Sequence, residues 1–73
     1  MSLNHIDILN KLLDQKVIVK YIDNIEFEGI LRSIDGYLNV VLENVSVKFM
    51  KNHIDTLNHC FIRGIQIKHI YIS

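Results

Sequence analysis

A chain of 73 residues, 49% of them hydrophobic, with eight basic and eight acidic side chains, makes one small domain of no net charge. So short a chain buries only about 60% of its unfolded surface, so this apolar content implies self-association or a partner that covers the excess. Neutrality argues against a general grip on duplex phosphates, which needs a basic surface, and leaves room for a focused single-strand site. Cys60 is the only cysteine, so no intrachain disulfide is possible and a reducing, intracellular compartment is expected. No run approaches ~18 apolar residues and no signal-peptide core opens the chain, so no membrane association is expected.

Ser2 or Asn4 can cap a helix, with Asp7 in its first turn against the dipole. Ile6, Leu9 and Leu13 recur at three- and four-residue spacing, with Ile8 and Leu12 alongside, and predict an amphipathic α-helix over 4–14 that must lie on a sheet. β-Branched residues then predict a first strand over 16–22 and, after a turn at Asp23-Asn24, a second over 25–34. Gly29 sits inside the second, where a missing side chain permits a sharp bend or a close backbone approach. A third strand spans 38–45. The segment 46–56 is ambiguous: Val47, Phe49 and Met50 suit a strand, and Lys51-Asn52-His53 suits a loop tip. A fourth strand follows over 57–62, a turn at Arg63-Gly64, and a fifth strand over 65–72 with a phase slip around Lys68-His69. As a long apolar edge, that last strand calls for pairing with a strand of a neighbouring subunit.

Between the second and third strands lies Asp35-Gly36-Tyr37-Leu38-Asn39. Asp-Gly is turn chemistry, since Gly tolerates positive φ and Asp bonds its own nearby backbone. On an extended chain Tyr37 and Asn39 point to one side, offering a stacking face beside an amide. Arg63, at the second turn, supplies a cation; the three together would hold a nucleic acid base. Each has a plainer reading: Tyr37 as a half-buried barrel residue, Asp35-Gly36 as any hairpin turn, Arg63 as an exposed ion-pair partner, Gly64 as a turn requirement. Cys60 reads as a small buried hydrophobe, and Lys48 and Lys51 as solvated loop charges. His53, His59 and Cys60 match no structural zinc spacing, so neither a metal nor another cofactor is expected. No carboxylate pair, nucleophile–base set or phosphate loop suggests an enzyme.

In order and spacing these features resemble the Sm/Sm-like (LSm) family over nearly the whole chain. The first family motif matches Gly29, Leu31, Asp35, Tyr37, Leu38 and Asn39, followed by Leu42; the second matches Ile62, Arg63 and Gly64. Ile65 departs from the family, which has a small polar residue there. The resemblance implies a mostly β protein: an N-terminal α-helix followed by a strongly bent five-stranded antiparallel SH3-like barrel, the Sm fold, as one domain over 1–73. It further implies a ring of six or seven Sm-like subunits, strand four of one pairing with strand five of the next, through Leu57, Phe61, Ile65, Ile67 and Ile70. The pore would bind uridine-rich single-stranded RNA, one nucleotide per subunit. Tyr37 would stack on the base, Asn39 read its edge and Arg63 cover its other face, with Asp35 holding Asn39 and Gly64 forming the adjoining turn. By the same resemblance the setting is pre-mRNA splicing with U6 small nuclear RNA or mRNA decay, in nucleus or cytoplasm. The rival is a ring-forming interaction module whose pore binds no RNA. Neutral charge and Ile65 favour the rival; the set Tyr37, Asn39 and Arg63 favours RNA.

Overall fold

The β-branched runs of the sequence become strands. The computed structural model describes residues 10–49 and 53–73. Within them β1 (Lys16–Tyr21), β2 (Glu26–Ile34), β3 (Val40–Phe49), β4 (His53–Ile62) and β5 (Ile67–Ile72) form one sheet in the order β4-β3-β2-β1-β5. All four neighbouring pairs are antiparallel. Short 3-10 turns at Ile22–Asn24 and Gly64–Gln66 join β1 to β2 and β4 to β5. β4 and β5 stand at the two ends of the sheet, each paired on one side only.

The core is aliphatic. Val17, Val19, Leu31, Val40, Leu42, Val45, Val47 and Ile62 are buried, and no polar or charged residue among the described ones is buried with them. Val17 and Val19 of β1, and Val40 and Leu42 of β3, follow the two-residue period of a strand with one face inward. A second layer of half-buried side chains packs on this core, including Leu12, Leu13, Tyr21, Phe27, Ile67 and Ile70. In it the Tyr21 and Phe27 rings meet edge to face, centroids 5.4 Å apart.

The sheet bends at Gly29. Glu28 pairs with Ser46 and Ile30 with Glu43, so β3 carries one extra residue opposite Gly29, and Asn44 there adopts φ 55°. A Cβ at Gly29 would stand 2.9 Å from the carbonyl oxygen of Glu43 and 3.3 Å from Cα of Val45. The close approach expected at this glycine is thus a backbone-on-backbone contact. A second bulge lies further along, where Leu31 pairs with Leu42 and Ser33 with Val41, leaving Arg32 as the extra residue on β2.

The N-terminal helix requires correction. No α-helix is among the described elements. Of the span 4–14, residues 11–14 form tight turns: the Leu13 N–H donates to the Asn10 carbonyl (3.2 Å) and the Gln15 N–H to the Leu12 carbonyl (3.0 Å), three residues back rather than four. Asp14 turns left-handed at φ 65°, and its N–H donates to the Leu31 carbonyl (2.7 Å) while Leu31 donates to Gln15 (3.0 Å). Pairing with β2 takes the Asp14 N–H and the Gln15 carbonyl, and the helical spacing of Leu12 and Leu13 does not decide the outcome there. Residues 4–9 of that span, with the caps at Ser2 and Asn4, lie outside the described residues.

Strand limits shift too. β1 stops at Tyr21 because Asp23 and Asn24 both take φ 61°. The ambiguous segment resolves as strand on both sides, β3 reaching Phe49 and β4 starting at His53, in continuous register from Val40 with Ile62 to Phe49 with His53; Met50 and Lys51 lie outside the described residues. The phase slip near Lys68 is a bulge, since Lys20 pairs with His69 and Tyr21 with Ile67.

Gly29→Val places branched carbon where two strands touch, so it is expected to destabilise the fold by about 1–3 kcal/mol. Chemical denaturation against the parent chain checks this, and an unchanged midpoint would remove Gly29 from its role in the bend.

Candidate nucleic-acid interface

Ile34 closes β2 and pairs with Val40, which opens β3, leaving five residues to make the turn between them. Asp35 organises that turn. Its Oδ1 accepts the N–H groups of Tyr37 (2.9 Å) and Asn39 (3.0 Å), and its Oδ2 accepts from Nδ2 of Asn39 (3.1 Å). Backbone bonds add to this: Leu38 N–H to the Asp35 carbonyl (3.0 Å) and Asp35 N–H to the Asn39 carbonyl (3.1 Å). The side-chain bond from Asn39, helped by the two backbone N–H donors, holds the Asp35 carboxyl below its ordinary pKa. The left-handed residue of the turn is Leu38, at φ 65°, and not Gly36. Tyr37 and Asn39 therefore do not share a side by strand alternation. Tyr37 is thrown outward, 85% exposed, while Asn39 is half-buried behind it.

Val40 also pairs with Ile62, the last residue of β4, so Arg63 and Gly64 leave the sheet beside Asn39. The Gly64 N–H donates to Oδ1 of Asn39 at 2.8 Å. Only glycine fits: a Cβ at Gly64 would stand 2.1 Å from the Tyr37 carbonyl oxygen and 2.5 Å from the carbonyl carbon of Leu38. The amide of Asn39 is thereby oriented without ambiguity, because its oxygen faces an N–H donor and its nitrogen a carboxylate. One N–H and one oxygen lone pair remain for anything outside.

The two turns enclose an open cleft of about 520 Å³ lined by Tyr37, Leu38, Asn39, Arg63, Gly64 and Ile65. Arg63 is exposed, and among the described residues no carboxylate pairs with its guanidinium. The cleft thus offers a free aromatic face, a free cation and a fixed amide. Asp35 stands behind, touching the cleft through Asn39.

The residues expected at a subunit interface divide. Leu57 and Phe61 of β4 are exposed, Phe61 at 62%. Ile67 and Ile70 of β5 are half-buried against the core. Ile65 precedes β5 in the Gly64–Gln66 turn and lies on the lip of the cleft, 88% exposed. Sequence reasoning passed over Ile54, Tyr71 and Ile72, exposed apolar residues of the two edge strands. Among the described residues no group of His, Cys, Asp and Glu has a metal-holding arrangement. Nε2 of His59 lies 3.5 Å from Glu43, and burial pushes the Cys60 thiol up in pKa. No described helix is long and apolar enough to cross a membrane.

Residues 7–72 match the family model of the LSM domain. The chain belongs to the Sm-like (LSm) family. Its relatives include the LSM complex subunit LSM2 of Saccharomyces cerevisiae, 36% identical over 64 residues that cover 85% of this chain and 67% of the relative. The U6 snRNA-associated Sm-like protein LSm6 of Lodderomyces elongisporus is 37% identical over 79 residues, covering 99% and 91%. The LSm chain also superposes on the Pyrococcus abyssii Sm protein solved in complex with a uridine heptamer, with TM-score 0.85 and 28% identity over 93% of this chain and 96% of that one. A heptameric archaeal Sm protein gives TM-score 0.83 at 27% identity, covering 92% and 97%. The five-stranded Sm fold is therefore the fold of this LSm chain. The stretches that look most like Sm-like protein two, the counterpart of the D-one Sm protein, are Asp35 to Asn39, Val45-Ser46-Val47 and Cys60 to Gly64.

A carboxyl with a lowered pKa contributes stability above the ordinary carboxylate range and loses it as pH falls through the lowered value. The amide NMR signals of Tyr37 and Asn39 should therefore stay constant from neutral pH down through the ordinary carboxylate range and move together only below it. Joint movement near neutrality would remove Asp35 as their acceptor.

Proposed function

We propose that this chain is a subunit of an Sm-like ring that binds uridine-rich single-stranded RNA, one base in the cleft of Tyr37, Asn39 and Arg63. The observation that carries the reading is the amide of Asn39, held in one orientation by Asp35 and Gly64 beside an exposed ring and an unpaired guanidinium. The ring of Tyr37 stacks on any base, Arg63 closes the opposite face, and selectivity falls to the amide. Its free N–H and lone pair complement the O4 acceptor and N3–H donor of uracil. Cytosine presents the reverse pair, a donor at N4 and an acceptor at N3, and would need the amide turned over. That turn would set its oxygen against the Asp35 carboxylate and its NH₂ against the Gly64 N–H. Uridine is thus preferred by an orientation that the fold maintains.

The family supports the same reading: one solved Sm relative carries a uridine heptamer, another is a heptamer, and relatives by sequence are named as LSM complex subunits and as U6 snRNA-associated. Pre-mRNA splicing through U6 small nuclear RNA is accordingly the proposed setting, with mRNA decay as the other, in nucleus or cytoplasm. Ring closure would use the open edges, β5 of one subunit adding to β4 of the next and covering Leu57 and Phe61. The neutral charge and the apolar Ile65 at the cleft favour a second reading, a ring-forming module whose own cleft stays empty of RNA.

The cleft residues should fail in different ways when oligouridine and oligocytidine are titrated into assembled ring across a salt series. Tyr37→Ala should weaken both by about 1–3 kcal/mol. Asn39→Ala should abolish the preference for uridine and also destabilise the turn by about 1–3 kcal/mol, because the Gly64 N–H loses its acceptor. Arg63→Ala should lower affinity and flatten the salt dependence. Three variants that bind as the parent does would leave the interaction module as the function.

Assembly has its own test. Phe61→Lys charges an exposed edge residue without touching the core, so the subunit should fold with its parental circular dichroism yet lose ring mass in light scattering. A ring of unchanged mass would place the interface elsewhere.

A further inference from the structure

We propose that a second cleft, at the seam of β1 and β5, holds a backbone phosphate of the same RNA strand as it leaves the base cleft. The proposal rests on the reading of the base cleft given above. This second cleft, of about 250 Å³, is lined by Lys20, Asn24, Lys68 and His69, with Tyr21, Ile25 and Glu26 in its wall. Its chemistry is that of an anion site. Nζ of Lys20 bonds Glu26 at 2.6 Å, so the one carboxylate in the wall is already satisfied. Lys68 is exposed, and among the described residues no carboxylate pairs with it. His69 and the amide of Asn24 add N–H donors. Asp23, the next residue along the turn, is not part of the lining.

Two features of the backbone aim these groups. Lys68 is the bulged residue between the pairs Lys20 with His69 and Tyr21 with Ile67, and a bulge turns a side chain out of the ladder. Asn24 is held left-handed at φ 61° at the end of the 3-10 turn. The site suits a phosphate and not a second base. The Tyr21 ring packs at right angles to Phe27 and its hydroxyl is hydrogen-bonded to Gln66, so the one aromatic ring in the wall already has partners within the fold.

The bond to Gln66 also gives the site its place in a path. Gln66 ends the three-residue turn that Gly64 begins, and Gly64 and Ile65 line the base cleft. The two clefts therefore flank one short turn, with Arg63 and Lys68 as the unpaired cations before and after it. A strand whose base sits between Tyr37 and Arg63 can cross this turn and reach Lys68 with a phosphate.

The experiment uses assembled ring and two oligouridines, one just long enough to fill the base clefts and one several nucleotides longer. Lys68→Gln should leave the short oligomer's affinity unchanged, weaken the longer one several-fold, and reduce the slope of log K against log salt by about 0.7 per phosphate lost. Asn24→Ala, on the opposite wall and away from β5, should weaken the longer oligomer selectively without disturbing an edge strand. Where Lys68→Gln impairs assembly, Asn24→Ala alone decides. Parental binding of the longer oligomer by both variants, or equal loss for both lengths, overturns the proposal. Tyr37→Ala run in parallel should weaken both lengths, so failure of the base cleft is read separately from failure of the phosphate cleft. Inorganic phosphate alone, followed by the NMR signals of Asn24 and His69, separates the sources: tight capture of free phosphate with no change in RNA affinity also overturns the proposal.

Discussion

The hydrogen bond from the Gly64 N–H to Oδ1 of Asn39 joins two turns that are 25 residues apart in sequence, and the whole candidate site hangs on it. One such bond contributes only about 0.5–1.5 kcal/mol on its own. It succeeds here because Gly64 has no side chain, which lets its backbone lie directly against Tyr37 and Leu38. On the other side Asp35 gathers two N–H groups and the Asn39 amide with a single carboxylate. Asp35 and Gly64 together thus decide which way one amide in the cleft faces.

The sheet supplies the distance at which this bond can form. Val40 pairs with Ile34 on one flank and Ile62 on the other, so the turns after β2 and β4 emerge side by side from one residue of β3. The unpaired backbone groups of β4 and β5 lie at the two ends of the strand order. The candidate cleft and the open edges therefore occupy different parts of the domain, turns for one and strands for the other.

Much of this was legible in the residues. β-Branched runs gave the strands, the lone glycine inside β2 gave the bend, and the slip near Lys68 gave a bulge. Ring, amide and guanidinium, expected to come together, do line one cleft. What could not be read were events in which the backbone overrides local preference. Leu12 and Leu13 carry helical spacing, yet the N–H groups of Leu13 and Gln15 are bound into tight turns and that of Asp14 goes to Leu31. Leu38, an ordinary strand former, takes the positive φ that Gly36 seemed placed to take. Ile67 and Ile70 looked like edge contacts, but the bulge between them sends both toward the core, while Ile65 is lifted into the turn beside the cleft. Each of these is settled by pairing partners distant in sequence, which periodicity does not contain.

The paired bulges of β2 and β3 carry a consequence for how such a domain can vary. The extra residue on β3 opposite Gly29 advances one strand by a step, and Arg32 on β2 gives the step back before the turn begins. Glu28 with Ser46 and Ser33 with Val41 are consequently in the same phase, as though the strands had never slipped. The curvature of the sheet and the position of Asp35 are thereby decoupled. An insertion or deletion at one bulge alone would flip every side chain from there to the turn onto the opposite face, whereas a matched change at both would leave the turn where it is. Sequence drift in this hairpin should therefore come in compensating pairs, a constraint on length rather than on residue type.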